Sequence, residues 1–400
     1  MIEDAFVLSR DVRLALLATT LAAAVLPAVP DSLSLPAVVF VCCYVWLCLA
    51  CVRLQIRLRD PPSPAGLPLT LFFLSALASL LIASGNGVTF SEWVRAIIPF
   101  AFLGAYYLFP SRLSQQDAQF ALASIHFSAN AWLVTSLVPV IPALRGGGIE
   151  RLTHLGFQFL LPYGLVGLVT SLFMAWPRYY RIACSFLFTF VIVATAYRSQ
   201  FLIAAILWLV YLSRSRYKLL WATALVLAGV FAFQFLHGSV FLDAFVQRFT
   251  NLEEAASSPR AKEIAYAVSN FLRSPIVGNG LGFRVPVSVN EFEPVTGALW
   301  VPYMHNVWAY LLMDLGIVGF LGYVGFFAGA AYVGWSRYRV ESPGFTALLL
   351  MAALLLYFTV EAAFRQIQSN LVLAILAVVL TKSLPEKRRD RLLEPRCAPS

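Results

Sequence analysis

The sequence predicts an all-α, polytopic integral membrane protein. Hydrophobic residues make up 60 % of its 400 positions, charged residues only 12 %, and the mean hydropathy is +0.78. Apolar runs long enough to cross a bilayer core of about 30 Å recur between short polar segments. The formal net charge of +9 is gathered in small clusters between those runs. That pattern orients membrane helices and is not a nucleic-acid footprint, so no nucleic-acid partner is expected.

Twelve spans are expected, near 14–30, 33–52, 67–84, 93–110, 118–143, 156–175, 182–197, 199–212, 218–237, 306–335, 344–361 and 366–383. The run from Leu14 to Val29 follows Arg10 and Arg13 and holds Ala22-Ala23-Ala24, as a signal peptide would; with eleven spans behind it, an uncleaved first helix is the simpler expectation. The chain then divides into residues 1–237 with spans one to nine, a long outer loop at 238–305 holding short helices, spans ten to twelve at 306–383, and a basic tail at 384–400.

Orientation follows from where Lys and Arg collect. Arg53, Arg57 and Arg59, Arg112, Arg178 and Arg181, Arg214, Arg216 and Lys218, Arg337 and Arg339, and the tail from Lys387 to Arg391 fall on alternate ends of consecutive spans. Retention of basic residues on the inner side then makes both termini cytoplasmic. Arg145, Arg151, Arg198, Arg248, Arg260, Arg273, Arg284 and Arg365 fall on the opposite face, against that bias. Anionic partners are expected for some of them.

The outer connections are short, apart from a segment of about 65 residues that is too long to be idle. Ser84 to Glu92 reads as a Gly/Asn turn. Within the long loop, Ser258-Pro259-Arg260 opens a helix, with Ser258 as cap and Pro259 at the first helical position. Ile264, Val268, Phe271 and Leu272 recur at helical spacing, so this amphipathic helix is expected to lay that face against the membrane domain. Arg260 stands in the first turn, where a cation is disfavoured by the helix dipole unless an anion lies between them.

Next comes Gly278-Asn279-Gly280-Leu281-Gly282-Phe283. The spacing fails as a dinucleotide fingerprint, leaving tight loop packing or a backbone nest beside a phosphate. Glu291 and Glu293 are too close along the chain to flank a glycosidic bond, which argues against a hydrolase. His305, at the outer end of the tenth span, is either an interfacial polar residue or a base that titrates near neutral pH.

Five of the six cysteines fall inside apolar runs, and Cys48-x-x-Cys51 has no His or carboxylate beside it. His126, His154 and His237 are not at metal-ligand spacing, so neither a metal nor another cofactor is expected. His126 to Asn130 is a polar interruption within a span, of the kind used for interhelix hydrogen bonds.

In several ordered features the chain resembles the bacterial O-antigen ligase and O-antigen polymerase superfamily of polytopic glycosyltransferases. They are Arg151 with Gly156 and Pro162, Tyr197-Arg198-Ser199 at an outer helix end, and Arg260 leading to Ser274-Pro275-Ile276-Val277-Gly278-x-Gly280-x-Gly282. The last runs from His305-Asn306-Val307-Trp308 to Asp314-Leu315-Gly316-Ile317-Val318-Gly319. The specific part covers about 145–320, and Asp314 stands where the family commonly has Glu.

The resemblance implies an inner-membrane enzyme that transfers a glycan from undecaprenyl diphosphate to an acceptor hydroxyl at the periplasmic face, without metal or nucleotide sugar. The acceptor would be a lipid core for a ligase or a second carrier-linked glycan for a polymerase. It also implies that Arg198 and Arg260, with Arg151 behind them, bind the diphosphate, and that His305 takes the hydroxyl proton. A transporter of an anion or lipid-linked sugar is the competing class, although no internal repeat supports it.

Overall fold

The computed structural model describes residues 8–26, 35–58, 66–145, 162–194, 198–214, 259–286, 300–301, 304–337 and 342–383, and most of them are helical. The helices are α1 (Arg10–Ala24), α2 (Leu35–Leu58), α3 (Leu67–Gly85), α4 (Phe90–Ala101), α5 (Ala105–Leu108), α6 (Gln115–Arg145), α7 (Tyr163–Phe173), α8 (Arg178–Ala194), α9 (Arg198–Arg214), α10 (Pro259–Arg273), α11 (Val307–Arg337), α12 (Pro343–Tyr357) and α13 (Ile367–Lys382). A two-residue hairpin pairs β1 (Val285–Pro286) with β2 (Trp300–Val301). The expected span at 218–237 lies outside the described residues. Three described helices are long and apolar enough to cross a membrane, Leu35–Ile56, Leu67–Gly85 and Val307–Ser336, with shorter apolar helices beside them.

Two ends of the bundle can be told apart by their contacts. At one end, Arg13 pairs with Asp117 at 2.7 Å, and the Lys382 ammonium donates to the carbonyls of Tyr106 and Phe109 at 2.6 and 2.7 Å. Those carbonyls are left over where the helix ends at Leu108, so a buried cation satisfies them. The Arg214 guanidinium lies over the Phe345 ring at this same end. At the other end Asn86 and Gly87 make the expected turn, and Thr89 forms a reciprocal cap with Glu92 that starts α4.

Packing between α3 and α11 ties the two ends of the bundle together. A Cβ on Gly322 would sit 2.7 Å from the backbone nitrogen of Phe72, so only glycine lets the helices approach this closely. At Gly316, α11 breaks, with φ 61° and ψ −166°. The glycine-rich loop after α10 fills the break: Ile317 and Val318 donate to the carbonyls of Pro275 and Ile276, while Asn279 and Gly280 donate to those of Met313 and Asp314. Backbone groups that would otherwise be unsatisfied within an apolar layer are paired in this way.

Candidate active site

The first turn of α10 and the start of α11 meet at the second end. Arg260 Nη2 donates to Glu361 Oε1 at 2.9 Å. One turn along α10, the Glu263 carboxylate accepts from His305 with both oxygens: the backbone N–H reaches Oε2 and Nδ1 reaches Oε1, each at 2.9 Å. Glu361 follows the end of α12, and Asn306 fastens the neighbouring turn by donating to the Thr359 carbonyl at 2.8 Å. One cluster therefore holds Arg260, Glu263, His305 and Glu361.

Electrostatics couple the four. Burial pushes the Glu361 carboxyl up from its ordinary value, Arg260 and His305 pull it back down, and Glu263 adds to the rise. Glu263 and Glu361 are buried, whereas the Arg260 side chain is 47 % exposed. Only one guanidinium nitrogen is committed to Glu361, so a group with five N–H donors keeps capacity for an oxyanion.

In the neutral form of the ring, the Glu263 carboxylate as acceptor places the imidazole proton on Nδ1 and leaves the lone pair on Nε2. That is the arrangement of a general base oriented by a carboxylate. The anion expected beside Arg260 is supplied at least in part by the chain itself, through Glu361.

Arg198 opens α9, and its side chain lies outside the described part. Two residues on, Gln200 donates to the Tyr357 hydroxyl at 2.9 Å, which sets the start of α9 beside the last turn of α12, four residues before Glu361. Arg151 lies outside the described residues. Among the other arginines of this face, Arg284 grips Glu92 through both Nε and Nη2, at 3.1 and 2.8 Å to one oxygen.

Of the two readings of the glycine loop, tight packing holds and the phosphate nest does not, because the N–H groups of Gly278 to Phe283 are taken, by Ser274 O, Met313 O, Asp314 O, Ser79 Oγ, Asp314 Oδ2 and Gly280 O in turn. Its glycines serve close packing: at Gly280, φ is +94° and a Cβ would lie 2.4 Å from the Ala83 nitrogen. Asp314 is a buried anchor for this loop. The expected seating of α10 is corrected: the sector facing the protein is Glu263, Ala267 and Asn270, while of the four apolar residues expected there Phe271 is half-buried and Ile264, Val268 and Leu272 are exposed. A carboxylate that must hold His305 outcompetes the apolar stripe for the inward position.

The two carboxylates were not singled out by sequence reasoning. Glu361 did carry a signal, as an acid ending an otherwise uncharged apolar run, where ionisable groups are seldom placed without a role. Glu263 stands alone as an acid among Arg260, Lys262 and Arg273, and only its partner reveals it.

Residues 183–324 match the family model described as O-Antigen ligase. This match to an O-antigen ligase domain supports the resemblance to the O-antigen ligase and polymerase superfamily. The matched segment runs from α8 through α10, the glycine loop and His305 to the middle of α11, and Glu361 falls beyond it. Among curated proteins no match was found. The match supports a membrane glycosyltransferase of the ligase or polymerase type, a family whose substrates are lipid-linked glycans.

Proposed function

We propose that this protein transfers a glycan from undecaprenyl diphosphate to an acceptor hydroxyl, by the ligase reaction, at the periplasmic face of the bacterial inner membrane. The observation that carries the reading is the convergence of Arg260, held by Glu361, with His305, held by Glu263, at one end of the bundle. Arg13, Arg214 and Lys382 gather at the opposite end, which supports a cytoplasmic assignment for that end and for both termini.

In the proposed step His305 Nε2 takes the proton of the acceptor hydroxyl as its oxygen attacks the anomeric carbon. The bond from that carbon to the diphosphate oxygen breaks, and the leaving diphosphate keeps the electron pair. Arg260, joined by Arg198 from the start of α9 and by Arg151 in the outer loop, binds the diphosphate and offsets its growing charge. Single displacement inverts the anomeric centre. No step calls for a metal or other cofactor.

The test is reconstitution of the full chain with labelled undecaprenyl-diphosphate glycan, offered either a lipid-core acceptor or a second carrier-linked glycan. Transfer to the lipid core, lost in His305→Ala and Arg260→Ala, is the expected result. Elongation on the carrier alone makes the protein a polymerase, and full activity in both variants overturns the site.

A further inference from the structure

The surface of α10 divides into three sectors. Glu263, Ala267 and Asn270 are buried against the protein. Lys262, Ser269 and Arg273 form an exposed polar sector. Ile264, Val268 and Leu272 fall between these, 41 %, 47 % and 69 % exposed, on an arc roughly 80° wide at 3.6 residues per turn. A helix wholly in water has no use for the third sector, and one wholly in the core has no use for the second.

The apolar sector continues beyond the helix. Ile276 and Val277, in the turn after α10, are 63 % and 46 % exposed. Their turn is spliced to α11 at Ile317 and Val318, and exposed Ile317 and Leu321 extend the same apolar surface along a membrane-crossing helix. The depth is fixed as well: Leu281 donates to Ser79 Oγ and Gly280 abuts Ala83, so the loop lies beside the last two turns of α3. Ser79 stands six residues before the end of α3 at Gly85, or about 9 Å along its axis at 1.5 Å per residue. An interfacial helix buries its apolar face by roughly that much, 5–10 Å.

We propose that α10 is a membrane-interfacial helix, its Ile264, Val268, Leu272 and Ile276 edge inserted among the acyl chains of the adjoining leaflet. Lys262 and Arg273 then lie at the headgroup level, where anionic phosphates favour them. Glu263 joins this helix to His305, so the leaflet surface and the charged cluster share one rigid element. The proposal stands whether or not the glycan transfer above is correct.

The unmodified chain, in nanodiscs of phosphatidylethanolamine and phosphatidylglycerol doped with a lipid carrying a diazirine on its acyl chain, supplies the first test. After photolysis and peptide mapping, adducts are expected on residues 264–277 at a yield within about threefold of those at Leu77 and Leu81 of α3, which are exposed on a spanning helix. Adducts on α3 with none on 264–277 overturn the proposal. A second measurement places an environment-sensitive fluorophore at Leu272→Cys or Ser269→Cys in a cysteine-free background. Blue-shifted emission quenched by nitroxide lipid at position 272 and not at 269 supports insertion. Equal aqueous spectra at both positions, or a disulfide between two copies at position 272, overturns it.

Discussion

His305 Nδ1 lies 2.9 Å from Glu263 Oε1, and the backbone N–H of the same histidine reaches the other oxygen at the same distance. One carboxylate thus fixes both the ring and the chain that carries it. Glu263→Gln keeps the size of the side chain but turns one oxygen into a donor, which removes the acceptor that sets the imidazole tautomer. The transfer rate is expected to fall by up to the 10²–10⁴-fold typical of a lost general base, chiefly in kcat. Glu263→Gln combined with His305→Ala should be no slower than His305→Ala alone, because the two act as one unit. Steady-state kinetics on the four proteins checks this.

The buried Glu361 carboxyl is pushed above its ordinary value of 4.5, against the pull of Arg260. The folded state therefore holds that proton more tightly than the unfolded chain does, and the contribution of Glu361 to stability declines as pH rises from about 4.5 through the raised value. In Glu361→Gln this decline is absent. Thermal unfolding of both proteins in detergent across that range should give a flatter pH dependence for the variant. Transfer should depend on pH in the opposite sense, since only ionised Glu361 holds Arg260 as an ion pair.

Gly280→Ala tests the splice between the glycine loop and the spanning helices. Its positive φ and the 2.4 Å approach of a Cβ to the Ala83 backbone combine conformational strain with overpacking. The expected loss is about 1–3 kcal/mol or more. The measurement is thermal unfolding. Gly329→Ala, with open space around its Cβ, serves as the control and should be close to neutral.

Asp314→Ala removes the carboxylate oxygen that accepts from the Gly282 N–H at 3.0 Å and leaves a buried donor unpaired. A loss of about 1–3 kcal/mol is expected. Asp314→Asn keeps an acceptor and should recover most of it. If Asp314 acts only through the loop, the two variants should rank the same way in thermal stability and in transfer.

Lys382→Met strips the carbonyls of Tyr106 and Phe109 of their shared donor while nearly preserving side-chain volume. Lower thermal stability is expected, with the glycan acceptor and donor KM unchanged because the residue lies at the far end of the bundle. Detergent-solubilised unfolding and kinetics together separate the two effects.

Hydropathy and charge alternation made the helical membrane fold legible in the sequence, because burial in lipid imposes apolar length and basic flanks on each segment. The start of α10 at Pro259 and the turn at Asn86-Gly87 were readable from local backbone preference. Arg260 could be named as a candidate from its place in the first turn of an amphipathic loop helix, and His305 from its place at the outer end of an apolar run. Pairing was not readable. Glu263 stands 42 positions from His305 and Glu361 stands 101 from Arg260, and such distances are closed only by the packing of α10, α11 and α12. Period alone likewise shows that α10 has an apolar stripe but not which way it turns. Tertiary structure decided that, because the one acid on the helix is needed inside, and the stripe is left facing outward.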